Sequence, residues 1–179
     1  MHKSLKSIWN ALTTILVAAV VLLAVLLAGV RVIGLTPFAV LSGSMEPAYH
    51  VGSLIYVKDV EPEAIEVGDP ITFVLNEDLL VATHRVVEID APNQHFYTKG
   101  DANDAPDAMP VHYNNLVGKP VFTIPYLGFV SSFLSTRKGM ILAGTAALVL
   151  LILVFLPDML KKAERADNKS KRHPKQPEV

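Results

Sequence analysis

Residues 11–30 read ALTTILVAAVVLLAVLLAGV, twenty consecutive positions without a charge, of which only Thr13 and Thr14 are polar. At a helical rise of about 1.5 Å per residue, such a run reaches about 30 Å, the thickness of a bilayer's hydrocarbon core. Trp9 stands at its edge, where an indole suits the boundary between lipid and water. The apolar core of a cleaved signal peptide is shorter, about 7–15 residues. The segment Arg31-Val32-Ile33-Gly34 that follows also lacks a small-residue cleavage pattern. A retained membrane anchor over residues 11–33 is therefore predicted, behind a short N-terminus of residues 1–10.

A second uncharged run, Met140 to Leu156, has 17 residues and stops at Pro157. That is the short end of the spanning range. The competing reading, a buried helix, would need to be apolar on every face, which is unusual in so small a domain. A second span over residues 139–157 is predicted. Charge then orients both. Lys3 and Lys6 precede the first span, and residues 158–179 carry seven basic residues against four acidic ones. Between the spans, residues 34–136 hold four basic residues (Lys58, Arg85, Lys99, Lys119) against thirteen acids. Basic flanks stay in the cytoplasm, so both termini belong inside and the middle outside, although Arg31, Arg137 and Lys138 flank the spans on the outer side. The lysine-rich tail, with Pro174 and Pro177, reads as a disordered solvated segment.

Composition agrees. Of 179 residues, 51% are hydrophobic and 18% charged, against about 25% charged in a typical soluble domain. So apolar a chain is not a disordered one, and a net charge of −1 excludes a nucleic-acid binder acting by bulk electrostatics. The absence of cysteine removes disulfides, thiol nucleophiles and zinc–thiolate sites.

The hundred or so residues between the spans, 34–138, show short β-type runs separated by turn residues. These are Leu54-Ile55-Tyr56-Val57, Ile71 to Leu75, Leu79 to Ile89, His95 to Thr98 and Leu116 to Ile124, with Asn76-Glu77-Asp78 as a hairpin loop. Proline, glycine and aspartate fill the gaps at Glu61-Pro62, Gly68-Asp69-Pro70 and Gly100 to Pro110. With no 3.6-residue periodicity here, a mainly β domain carried by two helices is predicted.

Three places carry candidate chemistry. In Leu41-Ser42-Gly43-Ser44-Met45-Glu46-Pro47, Ser44 lies 14 residues beyond Val30, close to the outer membrane surface, and Gly43 leaves space beside its hydroxyl. A plain loop is the competing reading. A serine nucleophile needs a base. His84, on the longest strand, is one choice, and His50, His95 and His112 are its competitors, since spacing alone does not separate them; His2 and His173 lie in the termini. The third place is Lys99 to Asp107, with aspartates at 101, 104 and 107. It reads as a solvated turn, a weak calcium loop without an EF-hand's closing glutamate, or the source of a carboxylate that orients an imidazole.

Four motifs occur in an order that resembles the type I signal peptidases: Ser42 to Pro47, then Val67-Gly68-Asp69-Pro70-Ile71-Thr72-Phe73, then Thr83-His84-Arg85-Val86-Val87, then Thr98-Lys99-Gly100-Asp101-Ala102-Asn103. The likeness runs from about Val40 to Tyr126. Histidine before arginine is similar to the endoplasmic-reticulum type, found in eukaryotes, archaea and some spore-forming Gram-positive bacteria, whereas the common bacterial type has a lysine there. The resemblance implies a coiled, barrel-like catalytic sheet. It implies Ser44 as nucleophile, His84 as general base, Asp107 as the essential acid and Asp101 as a further important carboxylate. It also implies that Ser42 shares the oxyanion hole with the Ser44 backbone N–H. The implied activity is a membrane-bound endopeptidase that needs no metal or cofactor. It would remove signal peptides from exported precursors after an Ala-X-Ala-like site. A second span belongs to only part of the family, and the run Phe122 to Gly128 before it favours a cell membrane over a reticulum. The competing readings are a non-catalytic membrane-anchored β domain that binds exported partners, and a serine–lysine dyad using Lys58 or Lys99.

Overall fold

A computed structural model of the chain describes residues 3–75 and 80–172. They divide into two compact units, Leu23–Thr136 on one side and Met1–Leu22 with Arg137–Val179 on the other. The second unit is helical. α1 (Lys3–Leu27) begins in it and ends in the first unit, to which its residues 23–27 belong, and α3 runs over Arg137–Arg172. Within them, Ser7–Leu27 and Arg137–Phe155 are long and apolar enough to cross a membrane.

The first unit is built on seven strands: β1 (Leu35–Ala39), β2 (Leu54–Lys58), β3 (Pro70–Val74), β4 (Val81–Asp90), β5 (His95–Lys99), β6 (Val111–His112) and β7 (Leu116–Ile124). They form one sheet in the order β1-β2-β7-β3-β4-β5-β6, every neighbouring pair antiparallel. The order has two free ends, β1 and β6, so the expected barrel-like sheet is an open half-barrel. β7 joins its halves: Lys119 to Ile124 pair with β2, and Leu116 and Gly118 pair with β3.

Prolines sit where a sheet tolerates a missing N–H. Pro37 is on the edge strand β1, Pro70 begins β3, and Pro120 faces β2 at a register shift. Two cores lie on the sheet. Ile65, Ile71, Phe73, Val86, Phe96 and Val111 form one, and Val30, Leu54 and Tyr56 the other, with Leu27 and Leu127 packed against it. Tyr56 stacks on Phe122 with ring centroids 4.2 Å apart, and its hydroxyl donates to the Leu26 carbonyl at 3.0 Å. This buried phenol, its pKa raised by burial, ties the last turn of α1 to the sheet.

Where the sequence predicts only strands between the spans, the structure adds a helix, α2 (Leu127–Leu134). Eight residues are too few for a 3.6-residue period to show, and the helix owes its place to tertiary contact. Its Gly128 is buried against the Ser53 carbonyl, so close that a side chain would not fit. β1 and β6 are also absent from the sequence reading, the first because it follows the anchor directly and contains Pro37, the second because it has two residues. β7 has the expected bounds, the remaining strand ends agree or differ by at most two residues, and the predicted Asn76-Glu77-Asp78 hairpin loop lies outside the described residues. The tail beyond Pro157, expected to be disordered, is instead helical as far as Arg172, where α3 ends. Proline removes one intrahelical bond, but the helix formers after it, Met159 to Ala163, sustain the turns.

Candidate active site

The segment between β1 and β2 carries Ser42 and Ser44 and is closed on itself. Val40 N–H bonds the Ser53 carbonyl and Gly52 N–H bonds the Val40 carbonyl, both at 2.9 Å, extending the β1–β2 ladder to the base of the loop. Inside it, Glu46 N–H reaches Gly43 O at 3.0 Å and Tyr49 N–H reaches Met45 O at 2.9 Å. Met45, 2% exposed, plugs the segment into the protein beneath Ser44.

His84 arrives from β4, where it faces Ile71 of β3 and lies edge-on to Phe73 at 6.2 Å. Its Nε2 is 3.2 Å from Ser44 Oγ, and its Nδ1 is 2.6 Å from Asp107 Oδ2. A carboxylate only accepts, so Nδ1 carries the hydrogen and Nε2 turns its lone pair to the serine hydroxyl. The Asp107 backbone N–H bonds the Thr98 carbonyl on β5 at 2.8 Å, and Thr98 Oγ1 donates to Asp107 Oδ2 at 2.6 Å. Ser42 Oγ stands 3.4 Å from Ser44 Oγ. Residues spread between positions 42 and 107 of the sequence thus form one hydrogen-bonded chain, from Ser42 and Ser44 through His84 to Asp107.

Asp101 lies outside that chain. Its two oxygens take Arg85 Nε and Nη2 at 2.7 and 2.6 Å, while Arg85 Nη1 donates to the Gly68 carbonyl at 2.7 Å. The hydrogen bond to Asp101 raises the Arg85 pKa further, against the opposing effect of burial. What this pair holds is a turn: Asn103 N–H bonds Gly100 O at 3.0 Å, and Ala102 N–H bonds the Ser44 carbonyl at 2.9 Å. Gly100 is required for that approach, since a Cβ there would stand 2.6 Å from the Ser44 carbonyl oxygen. Asp101 therefore reaches Ser44 through backbone, and Asp107 reaches His84 directly.

The other candidates go elsewhere. His50 pairs with Glu46 on the surface, and His95 and His112 pack edge to face at 5.2 Å on β5 and β6. Lys58 ends β2, and Lys99 faces Arg85 across β4 and β5. A calcium loop does not fit, because Asp101 and Asp107 are turned to different partners.

Ser44 and His84 open into a cavity of about 610 Å³, walled by Phe38, Ile55, Phe73, Ala82, Ala108 and Met109 among others. Its lining is predominantly apolar, its reactive groups lie on one wall, and the edge strand β1 contributes Phe38 and Ala39. Sequence reading missed this wall, since its residues come from four strands and the loops between strands and share no linear pattern. It also passed over Arg85 and Thr98 as parts of the site, although both stand inside motifs quoted above. A serine beside an imidazole oriented by a carboxylate, at the wall of an apolar groove, can perform nucleophilic acyl transfer.

Residues 12–105 match the family described as signal peptidase, peptidase S26. The matched stretch contains Ser42, Ser44, His84 and Asp101 and ends two residues before Asp107. The chain is 38% identical over 122 residues to signal peptidase I W of Bacillus subtilis (strain 168), covering 63% of this chain and 64% of the relative. It is 31% identical over 125 residues to the signal peptidase complex catalytic subunit SEC11C of Homo sapiens, covering 63% and 65%. The dog SEC11C gives the same figures. The chain thus spans slightly under two thirds of the length of these curated relatives.

Proposed function

The chain belongs to the peptidase S26 signal peptidases, and from that premise we propose that it is a membrane-bound serine endopeptidase. In this reading it removes N-terminal signal peptides from exported precursors after a small-X-small site of the Ala-X-Ala kind. The observation that carries the reading is the unbroken chain Ser44 Oγ to His84 Nε2, 3.2 Å, and His84 Nδ1 to Asp107 Oδ2, 2.6 Å, at the wall of an apolar groove.

Ser44 Oγ attacks the carbonyl carbon of the residue before the scissile bond as His84 Nε2 takes its proton. Asp107 holds the imidazole in the required tautomer and stabilises its charged form. The carbonyl's electron pair becomes an oxyanion that the Ser42 hydroxyl and the Ser44 backbone N–H stabilise. Each such donor is worth about 2.7–4 kcal/mol in the transition state. Collapse breaks the C–N bond, and the proton on His84 Nε2 passes to the departing amine. Water, deprotonated by the same nitrogen, then frees the acyl group from Ser44. Asp101 acts differently from Asp107: with Arg85 it holds the turn whose Ala102 N–H fixes the Ser44 carbonyl.

Two apolar helices, Ser7–Leu27 and Arg137–Phe155, support a membrane protein. In the proposed organisation residues 1–10 are cytoplasmic, 11–33 and 139–157 span the plasma membrane, 34–138 form the extracytoplasmic catalytic domain, and 158–179 return to the cytoplasm. A substrate held in the same bilayer by its own signal segment is presented at high effective concentration, so the groove itself need bind only weakly.

The test is cleavage of a membrane-reconstituted precursor with an Ala-X-Ala site by the wild type and by Ser44→Ala. Cleavage after the small residue by the wild type, lost by at least about 1000-fold in Ser44→Ala, is expected for a lost nucleophile. Equal cleavage by both removes Ser44 from the role. A purely binding β domain predicts partner binding unchanged by Ser44→Ala and His84→Ala and no cleavage by any form.

A further inference from the structure

We propose that Thr98 is a positioning residue of this site, its hydroxyl holding the Asp107 carboxylate in the orientation in which it orients His84. The inference rests on the reading of Ser44 as nucleophile and His84 as base.

Asp107 lies in the irregular stretch between β5 and β6 and has no strand ladder to fix it. Its backbone is anchored by its N–H on the Thr98 carbonyl at 2.8 Å. That bond leaves the side-chain torsions free, and rotation about them would carry the carboxylate off the imidazole. The Thr98 hydroxyl closes this freedom. Thr98 is 1% exposed on β5, where it pairs with Val86, two residues from His84 on the neighbouring strand. Its Oγ1 lies 2.6 Å from Asp107 Oδ2, the same oxygen that accepts His84 Nδ1 at 2.6 Å. One residue thus grips Asp107 by backbone and by side chain. A β-branched side chain suits the task because its χ1 is stiff on a strand. Thr98 stands behind Asp107 and outside the groove lining, so it has no direct part in substrate binding.

The shared oxygen has an electronic consequence as well. Two donors on one carboxylate oxygen draw charge from it and make it less basic. The carboxylate then leaves the proton on His84 Nδ1, and it stabilises the imidazolium less than a singly bonded carboxylate would. Removing the Thr98 donor frees the carboxylate to turn off the imidazole, so the charged imidazolium is held less tightly and the base is freed at a lower pH. A carboxylate that kept its place and lost only the second donor would act the opposite way.

Thr98→Val keeps the shape and removes the donor, and Thr98→Ser keeps the donor. A hydrogen bond to a charged group corresponds to about a 10- to 100-fold effect. We therefore expect Thr98→Val to lower kcat by about that factor on the reconstituted precursor, with KM changed less than about twofold. The acid limb of its kcat/KM profile should move to lower pH, and Thr98→Ser should restore both kcat and profile. A move to higher pH would mean that the carboxylate kept its place without Thr98 and would overturn the inference. If Thr98→Val does not fold, Thr98→Ala removes the same donor without a second methyl and takes the same test. Wild-type kcat and profile in the donor-less variant would overturn the inference, as would equal impairment of Thr98→Ser. Ser44→Ala is assayed in parallel. If it cleaves like wild type, the nucleophile reading falls and this inference with it. If it is inactive while Thr98→Val matches wild type, only the role of Thr98 falls.

Discussion

Asp69 stands at the entry to β3, where one residue joins three elements by its side chain and its backbone. Its carboxylate pairs with Lys119 of β7 and accepts the Glu66 N–H at 3.0 Å, while its carbonyl accepts the Val86 N–H of β4 at 2.9 Å. Burial pushes the carboxyl upward, but the bonds from Lys119 and Glu66 and the charges of Lys119 and Arg85 outweigh it, and the pKa lies below its ordinary value. A carboxylate depressed on folding stabilises the protein fully above its unfolded value, about pH 4, and loses that contribution as pH falls through the folded value. Asp69→Asn should therefore unfold at lower temperature than wild type near pH 7, with the difference shrinking as pH drops toward about 3. Thermal unfolding across that range checks it, and a difference that does not change with pH would deny the carboxylate this part. At this scale the sequence was legible where residues sit inside motifs. Ser42, Ser44, His84 and Asp107 each stand in or beside a motif of the sequence, and the structure brings these four together. Spacing alone left His84 level with His50, His95 and His112, because what separates them is which face of which strand meets the serine loop.

Among the elements, β7 is the one on which the sheet depends, since it alone pairs with both β2 and β3. It changes partner at Gly118, whose φ of +145° is closed to most side chains, and a Cβ there would run into the Lys58 carbonyl. Gly118→Ala should destabilise the protein by about 2 kcal/mol or more, combining backbone strain with displacement of the end of β2. Denaturant unfolding at equilibrium measures it, and a loss below about 0.5 kcal/mol would mean that the strand bends without this residue. The longer strands were legible because apolar runs bounded by Gly, Pro and Asp leave few other readings. The elements that were not legible owe their form to neighbours. β1 exists because β2 offers it a partner despite Pro37, and α2 because Gly128 lets it settle on the Ser53 carbonyl. The continuation of α3 through Pro157 shows a local breaker yielding to good helix formers beyond it.

At the scale of the whole chain, the most legible property is the alternation of charge and hydropathy: basic end, apolar run, acidic middle, apolar run, basic end. The groove wall was the least legible, because it is assembled from β1, β2, β3 and β4 only once the sheet has formed. The alternation makes a prediction that does not depend on enzymatic activity. If both runs span and both ends are cytoplasmic, residues 88 and 176 lie on opposite sides of the membrane. Because the chain has no cysteine, a single introduced thiol reports its side without background. Glu88 is exposed on β4, so Glu88→Cys disturbs little, and Gln176→Cys falls in the tail. In intact cells a membrane-impermeant maleimide should label Glu88→Cys at once and Gln176→Cys only after permeabilisation, since positive flanks resist transfer across the bilayer. Labelling of both from outside would mean that the second run does not span, leaving the tail beside the β domain. Labelling of neither would place the acidic middle inside, where a signal peptidase would meet no exported substrate.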